Sequence, residues 1–125
     1  MAVIDTRAGT MRYSSAGHPA AYVWQDGDVR PLRATGPLLT LDPKGSYFSR
    51  ELPLDWGSLL LLYTDGLAEA RSGEQLFGEE RIAGILRRDN GQDARTLCKT
   101  LLEAARDFAS APLTDDVAIL AVRRT

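Results

Sequence analysis

The pattern of apolar and polar positions divides the chain into two halves. The first half carries short apolar runs separated by turn residues. Ala2-Val3-Ile4 and Thr10 to Ser14 flank Asp5-Thr6-Arg7-Ala8-Gly9, which predicts a hairpin around a Gly-containing turn. Ala20 to Trp24 and Val29 to Leu32 flank Gln25-Asp26-Gly27-Asp28. The Asp-Gly pair suits a tight hairpin turn because glycine accepts positive φ. Residues 33–45 contain Gly36, Pro37, Pro43 and Gly45 and read as a loop. Tyr47 to Leu52 reads as a further strand, and Asp55-Trp56-Gly57 as a turn. Ser58 to Thr64, with four consecutive leucines, is the strongest strand, apolar enough for burial on both faces.

The second half changes period. Leu67 to Ser72 predicts one or two helical turns. Gly78-Glu79-Glu80-Arg81 opens a helix with acids at its positive end. Ile82, Ile85 and Leu86 form the apolar face of that helix, and Asn90-Gly91 stops it. Asp93 caps a longer helix from Ala94 to about Ala109, with Leu97, Leu101, Ala104, Ala105 and Phe108 at helical spacing. Val117 to Val122, apolar on both faces, predicts a closing strand at the centre of a sheet. Strands first, helices second and one strand last give an α+β layered fold.

Composition narrows the function classes. At 125 residues the chain has the size of one small domain, and no linker or repeat divides it. Hydrophobic residues at 44% and charged residues at 26% exclude a disordered or low-complexity chain. A net charge of -2 supplies no basic excess, so neither nucleic acid nor a membrane is an expected partner. The single cysteine, Cys98, excludes an internal disulfide or a cysteine zinc cluster and reads as packing on the long helix. A charge arrives at Asp5, leaving no signal-peptide core, and the apolar run Leu59 to Tyr63 is far short of the ~20 residues that span a bilayer. The expected location is the cytoplasm.

Three places carry candidate chemistry. Asp65 follows the leucine strand and precedes Gly66, which allows close approach of backbone, water or metal. Its carboxylate suits a hard divalent cation, or alternatively caps the short helix that follows. Asp115-Asp116 stands at the entry to the last strand, where alternation sends the two side chains to opposite faces. The pair reads either as a ligand and a loop-holding neighbour or as a solvated turn after Pro112. If the two strands are neighbours, Asp65 and Asp115 converge at one sheet edge. His18, the only histidine, lies in Ser15-Ala16-Gly17-His18-Pro19 and reads as a turn residue or a general acid. No Gly-x-Ser-x-Gly elbow and no Gly-x-x-x-x-Gly-Lys loop occurs.

Taken in order, five stretches resemble one family. They are Ala16-Gly17-His18-Pro19, Thr35-Gly36-Pro37-Leu38, Leu60 to Ala70 with its Tyr63-Thr64-Asp65-Gly66 core, Leu76-Phe77-Gly78-Glu79-Glu80-Arg81, and Asp115-Asp116-Val117-Ala118-Ile119-Leu120. The chain, over residues 1–125, is similar to the C-terminal portion of bacterial PPM-type phosphatases of the sporulation stage II protein E group, relatives of protein phosphatase 2C. The Tyr-Thr-Asp-Gly-x-x-Glu-Ala run is the specific element.

The resemblance implies part of an α-β-β-α sandwich of mostly antiparallel sheets flanked by helices. It implies a protein serine/threonine phosphatase in which two Mg²⁺ or Mn²⁺ ions share a bridging water that attacks the phosphate. There is then no catalytic residue beyond that water. Asp65 and Asp115 would be metal ligands, and Gly17, His18, Gly66, Glu69 and Asp116 would support the site. The implied partner is a phosphorylated regulatory protein, such as an antagonist of an anti-sigma factor. The family also draws a metal aspartate from a Gly-Asp-Val segment ahead of Ala-Gly-His-Pro. Here Gly27-Asp28-Val29 follows that motif, in a hairpin turn, and is set aside. Isolated, the chain is therefore expected to be weakly active or inactive. The alternative is a non-catalytic module that binds a partner or forms a homodimer through the surface the absent half would cover.

Overall fold

The computed structural model describes residues 1–15, 21–33, 35 and 49–125. Its described strands all pair antiparallel. β1 (Ala2–Asp5), β2 (Thr10–Tyr13) and β5 (Arg50–Pro53) form one sheet in the order β1-β2-β5. β3 (Ala21–Gln25), β4 (Asp28–Leu32), β6 (Leu59–Tyr63) and β9 (Ile119–Arg123) form a second, in the order β4-β3-β6-β9. The predicted β3–β4 turn is present, with Asp26 at φ 53° and Gly27 at φ 77°, both in the left-handed region that such turns need.

The two sheets stack, and helices cover the outer face of the larger one. β6 makes the alternation explicit. Leu59, Leu61 and Tyr63 face the core shared with α2 (Gly78–Asp89) and α3 (Ala94–Phe108), while Leu60 faces the inter-sheet core with Met11, Tyr13 and Val23. The expected burial of this strand on both faces is what the structure shows. The helix faces also match: Ile82, Ile85 and Leu86 are buried on α2, and Leu97, Leu101 and Ala105 on α3. Asp93 caps α3, its carboxylate accepting from the Thr96 backbone N–H at 2.8 Å.

Three sequence expectations change. The helix predicted over 67–72 is shorter and earlier, α1 (Asp65–Ala68). The chain then enters a small hairpin of β7 (Arg71–Ser72) and β8 (Gln75–Leu76), turning at Gly73 with φ 62°. Ser72 and Gln75 are too polar to have signalled a strand. The closing strand is not central among the described residues: β9 pairs with β6 alone and forms the edge of its sheet. Its apolar residues are explained by contacts on two faces. Ile119 and Ala121 pack toward the helices and Val122 toward the other sheet, while Leu120 is 57% exposed. The strand predicted from Tyr47 begins at Arg50 in the described residues; 47 and 48, like most of the 33–45 loop, lie outside them.

Candidate functional site

β6 and β9 are neighbours, and Tyr63 pairs with Ile119. The C-terminal end of β6 and the N-terminal end of β9 therefore lie at the same sheet edge. The ladder continues one residue beyond the strands through a side chain. The Thr64 N–H donates to the Ala118 carbonyl at 3.0 Å, and the Ala118 N–H donates to Thr64 Oγ1 at 2.9 Å. The same hydroxyl donates to the Asp116 carbonyl at 3.2 Å. Thr64 thus replaces a missing backbone acceptor and ties the entry of α1 to the segment before β9.

Gly66 completes the tie. A Cβ at this position would stand 2.3 Å from the Asp116 carbonyl oxygen and 3.2 Å from Val117 Cγ2. Glycine is required here by close approach of backbone rather than by its φ. The sequence reading anticipated such an approach; the approaching group is the backbone of the Asp-Asp pair itself.

Asp65 and Asp115-Asp116 are thereby brought to one end of the sheet, all three exposed. Asp65 does not cap α1. Thr64 occupies the N-cap position, without a side-chain cap bond, and Asp65 is the first helical residue. Among the described residues, no ion pair or hydrogen bond engages the carboxylates of Asp65, Asp115 or Asp116. Asp115 borders two grooves. One, of about 410 Å³, runs past Gly66, Glu69 and Arg71. The other, of about 700 Å³, runs past Leu102, Arg106 and Asp116. Glu69 is exposed at the C-cap of α1, its N–H donating to the Asp65 carbonyl at 2.8 Å.

The donor set suits a hard divalent cation, which binds through one or two carboxylates and keeps several waters. Among the described residues, no group of three or more His, Cys, Asp or Glu side chains is placed to hold a metal. Gly17 and His18 lie outside the described residues. Sequence reasoning missed Thr64; its signal was a hydroxyl at a strand end, a residue type that bonds nearby backbone. It also missed the Tyr22–Tyr63 stack beneath the site, with ring centroids 6.3 Å apart. Burial pushes the Tyr63 phenol well above its ordinary range, and its hydroxyl has no hydrogen-bond partner among the described residues.

The model of the Stage II sporulation protein E (SpoIIE) family matches residues 1–125. The chain belongs to the SpoIIE family. Its relatives include Protein IcfG of Synechocystis, 29% identical over 98% of this chain and 20% of IcfG. Another is phosphoserine phosphatase RsbU of Bacillus subtilis, 22% identical over 90% of this chain and 34% of RsbU. Among solved structures, the SiaA-PP2C domain of Pseudomonas aeruginosa superposes with a TM-score of 0.84 and 26% identity, covering 99% of this chain and 50% of that one. This SpoIIE-family chain therefore has the fold of part of a PP2C-type phosphatase domain and spans half or less of each of these three proteins. No helix among the described residues is long and apolar enough to cross a membrane.

Proposed function

We propose that this chain supplies one side of the metal site of a protein serine/threonine phosphatase that cleaves phosphoserine or phosphothreonine by direct attack of water. The observation that carries this reading is the close approach of Gly66 to the Asp116 backbone, beside the exposed Asp65 and Asp115. The name of RsbU, a phosphoserine phosphatase, supports the reaction class.

Asp65 and Asp115 would hold the ions, Mg²⁺ or Mn²⁺, through their carboxylate oxygens. When bound, such ions lower the pKa of a water and neutralise charge on the phosphate. Thr64 and Gly66 keep the two carboxylates in register by holding the Asp116–Ala118 backbone. Asp116 positions the loop through its carbonyl, and Glu69 positions α1 beside the groove that reaches Asp115. Gly17 and His18 are assigned the adjoining turn on the family motif. The expected substrate is a phosphorylated regulatory protein of the kind that antagonises an anti-sigma factor. A non-catalytic binding module is the second reading, favoured by the absence of a three-member metal cluster among the described residues.

Calorimetric titration with MnCl₂ separates the two. The phosphatase reading expects binding that is lost in Asp65→Asn and Asp115→Asn, with the far-UV spectrum unchanged. The isolated chain is expected to release little or no phosphate from a phosphoserine peptide. Absence of Mn²⁺ binding, or binding indifferent to both substitutions, would favour the module.

A further inference from the structure

We propose that Arg81 is a positioning residue for the acids at the sheet edge. Its guanidinium latches the end of α3 to the junction of β8 and α2, and so sets where the segment carrying Asp115 begins. This role rests on the reading of Asp65 and Asp115 as metal acids and adds the side chain that holds one relative to the other. Arg81 Nη1 donates to the carbonyls of Leu76 at 3.1 Å and Phe77 at 2.9 Å. The same guanidinium lies over the Phe108 ring, with Cζ 4.3 Å from the centroid. Phe77 and Phe108 meet at a tilt of 60°, their centroids 5.7 Å apart. One side chain therefore touches the end of β8, the start of α2 and the last residue of α3.

The latch closes a ring of contacts between α1 and the acidic segment. Just after α1, the Phe77 N–H donates to the Ala70 carbonyl at 2.7 Å, and the Ser110 N–H donates to the Arg71 carbonyl at 3.0 Å. Phe108, which Arg81 covers, stands just before Ser110, and Asp115 follows in the same segment. At its far end that segment is held by Thr64 and Gly66, which meet the Asp116 backbone. Asp115 thus lies between two anchorages. A segment fixed at both ends samples fewer conformations than one fixed at a single end. The groove of about 410 Å³ that reaches Asp115 is walled by Arg71 and by this segment.

The latch needs arginine. A planar guanidinium donates within its plane and stacks through its face, so it serves two carbonyls and a ring at once. A lysine ammonium is a compact point charge and does not combine the two. Among the described residues Arg81 enters no ion pair, although Glu79 and Glu80 are its neighbours in sequence. Its donors are directed to backbone carbonyls on one element while its face rests on a ring from another.

Hydrogen exchange at the Ser110 amide tests the latch without metal. In the wild type this N–H is expected to be protected by its bond to Arg71. Arg81→Met keeps an apolar stem, and Arg81→Lys keeps the charge. Each is expected to speed Ser110 exchange about tenfold, the scale of losing one hydrogen bond from a charged donor. Mn²⁺ affinity, read by calorimetry, is expected to fall by a similar factor. Met11→Ala opens the buried inter-sheet core and leaves the latch intact. It is expected to lower the melting temperature while both readouts stay at wild-type values. An unprotected Ser110 amide in the wild type, or unchanged exchange in a folded Arg81→Met variant, would overturn the proposal. So would wild-type Mn²⁺ affinity in both Arg81 variants. A wild type that binds no Mn²⁺ removes the metal reading instead, and the exchange result alone then decides the latch. Should Arg81→Met fail to fold, Arg81→Lys decides in its place.

Discussion

At the scale of single residues, Gly66 and Thr64 carry more of the site than their size suggests. Gly66→Ala forces a methyl group against the Asp116 carbonyl, which is backbone and cannot swing aside. Overpacking of this kind costs roughly 1–3 kcal/mol. The expected outcome is a lowered melting temperature together with weakened Mn²⁺ binding, although no carboxylate has been altered. A variant that loses stability yet keeps full Mn²⁺ affinity would show that the contact holds the fold without positioning the acids. Asp65 itself was legible from the sequence because it ends an unmistakable strand and precedes a glycine. Thr64 was not, since its role depends on which backbone lies across from it, and that partner is more than fifty residues away in the chain.

Among the elements, the helices were the most readable. Their apolar spacing is a local property, and Asp93 announces the start of α3 by its chemistry. Two hydrogen bonds from Thr96 to the Asp93 carboxylate, from its backbone N–H first and then its hydroxyl, hold that carboxyl below its usual range. The folded state therefore favours the ionised form. This contribution is present above the ordinary carboxylate pKa and is lost as pH falls through the depressed folded value. Thermal melts across the acid range are expected to show a shallower loss of stability in Asp93→Asn than in the wild type; identical slopes would remove the cap from the account. The strands divide differently. β6 and the β3–β4 hairpin were visible through composition and Asp-Gly chemistry. The β7–β8 hairpin was not, because paired backbone rather than side-chain character defines it. Apolar residues on both faces of β9 suggest a central strand. That inference assumes neighbours on both sides, which sequence does not report.

For the whole molecule, β6 belongs to two cores at once. Leu60 is buried between the sheets and Leu61 between sheet and helices. Leu60→Ala and Leu61→Ala are each expected to cost about 2–5 kcal/mol, as large-to-small changes in cores do. Both should leave a single denaturant transition, with tryptophan fluorescence and far-UV circular dichroism coincident. Separate transitions in either variant would mean that the sandwich and the helical layer unfold independently. The architecture became legible only where one strand's two faces could be assigned to two cores. Which strands neighbour it, and hence which acids share a sheet edge, came from tertiary pairing.

The pairing of Tyr63 with Ile119 also sets a timetable. Everything between these residues, including both long helices, has to be spanned before the sheet can close. α2 and α3 draw on local contacts and form early, whereas β9 has to find a strand far away along the chain. Closing loops of this kind is what slows proteins rich in non-local strand pairs. Refolding followed by stopped flow is therefore expected to show helical ellipticity rising ahead of the slower closure. If Asp65 and Asp115 hold metal as proposed, Mn²⁺ affinity should return only with the slower phase, since the two acids share an edge only after β9 has docked.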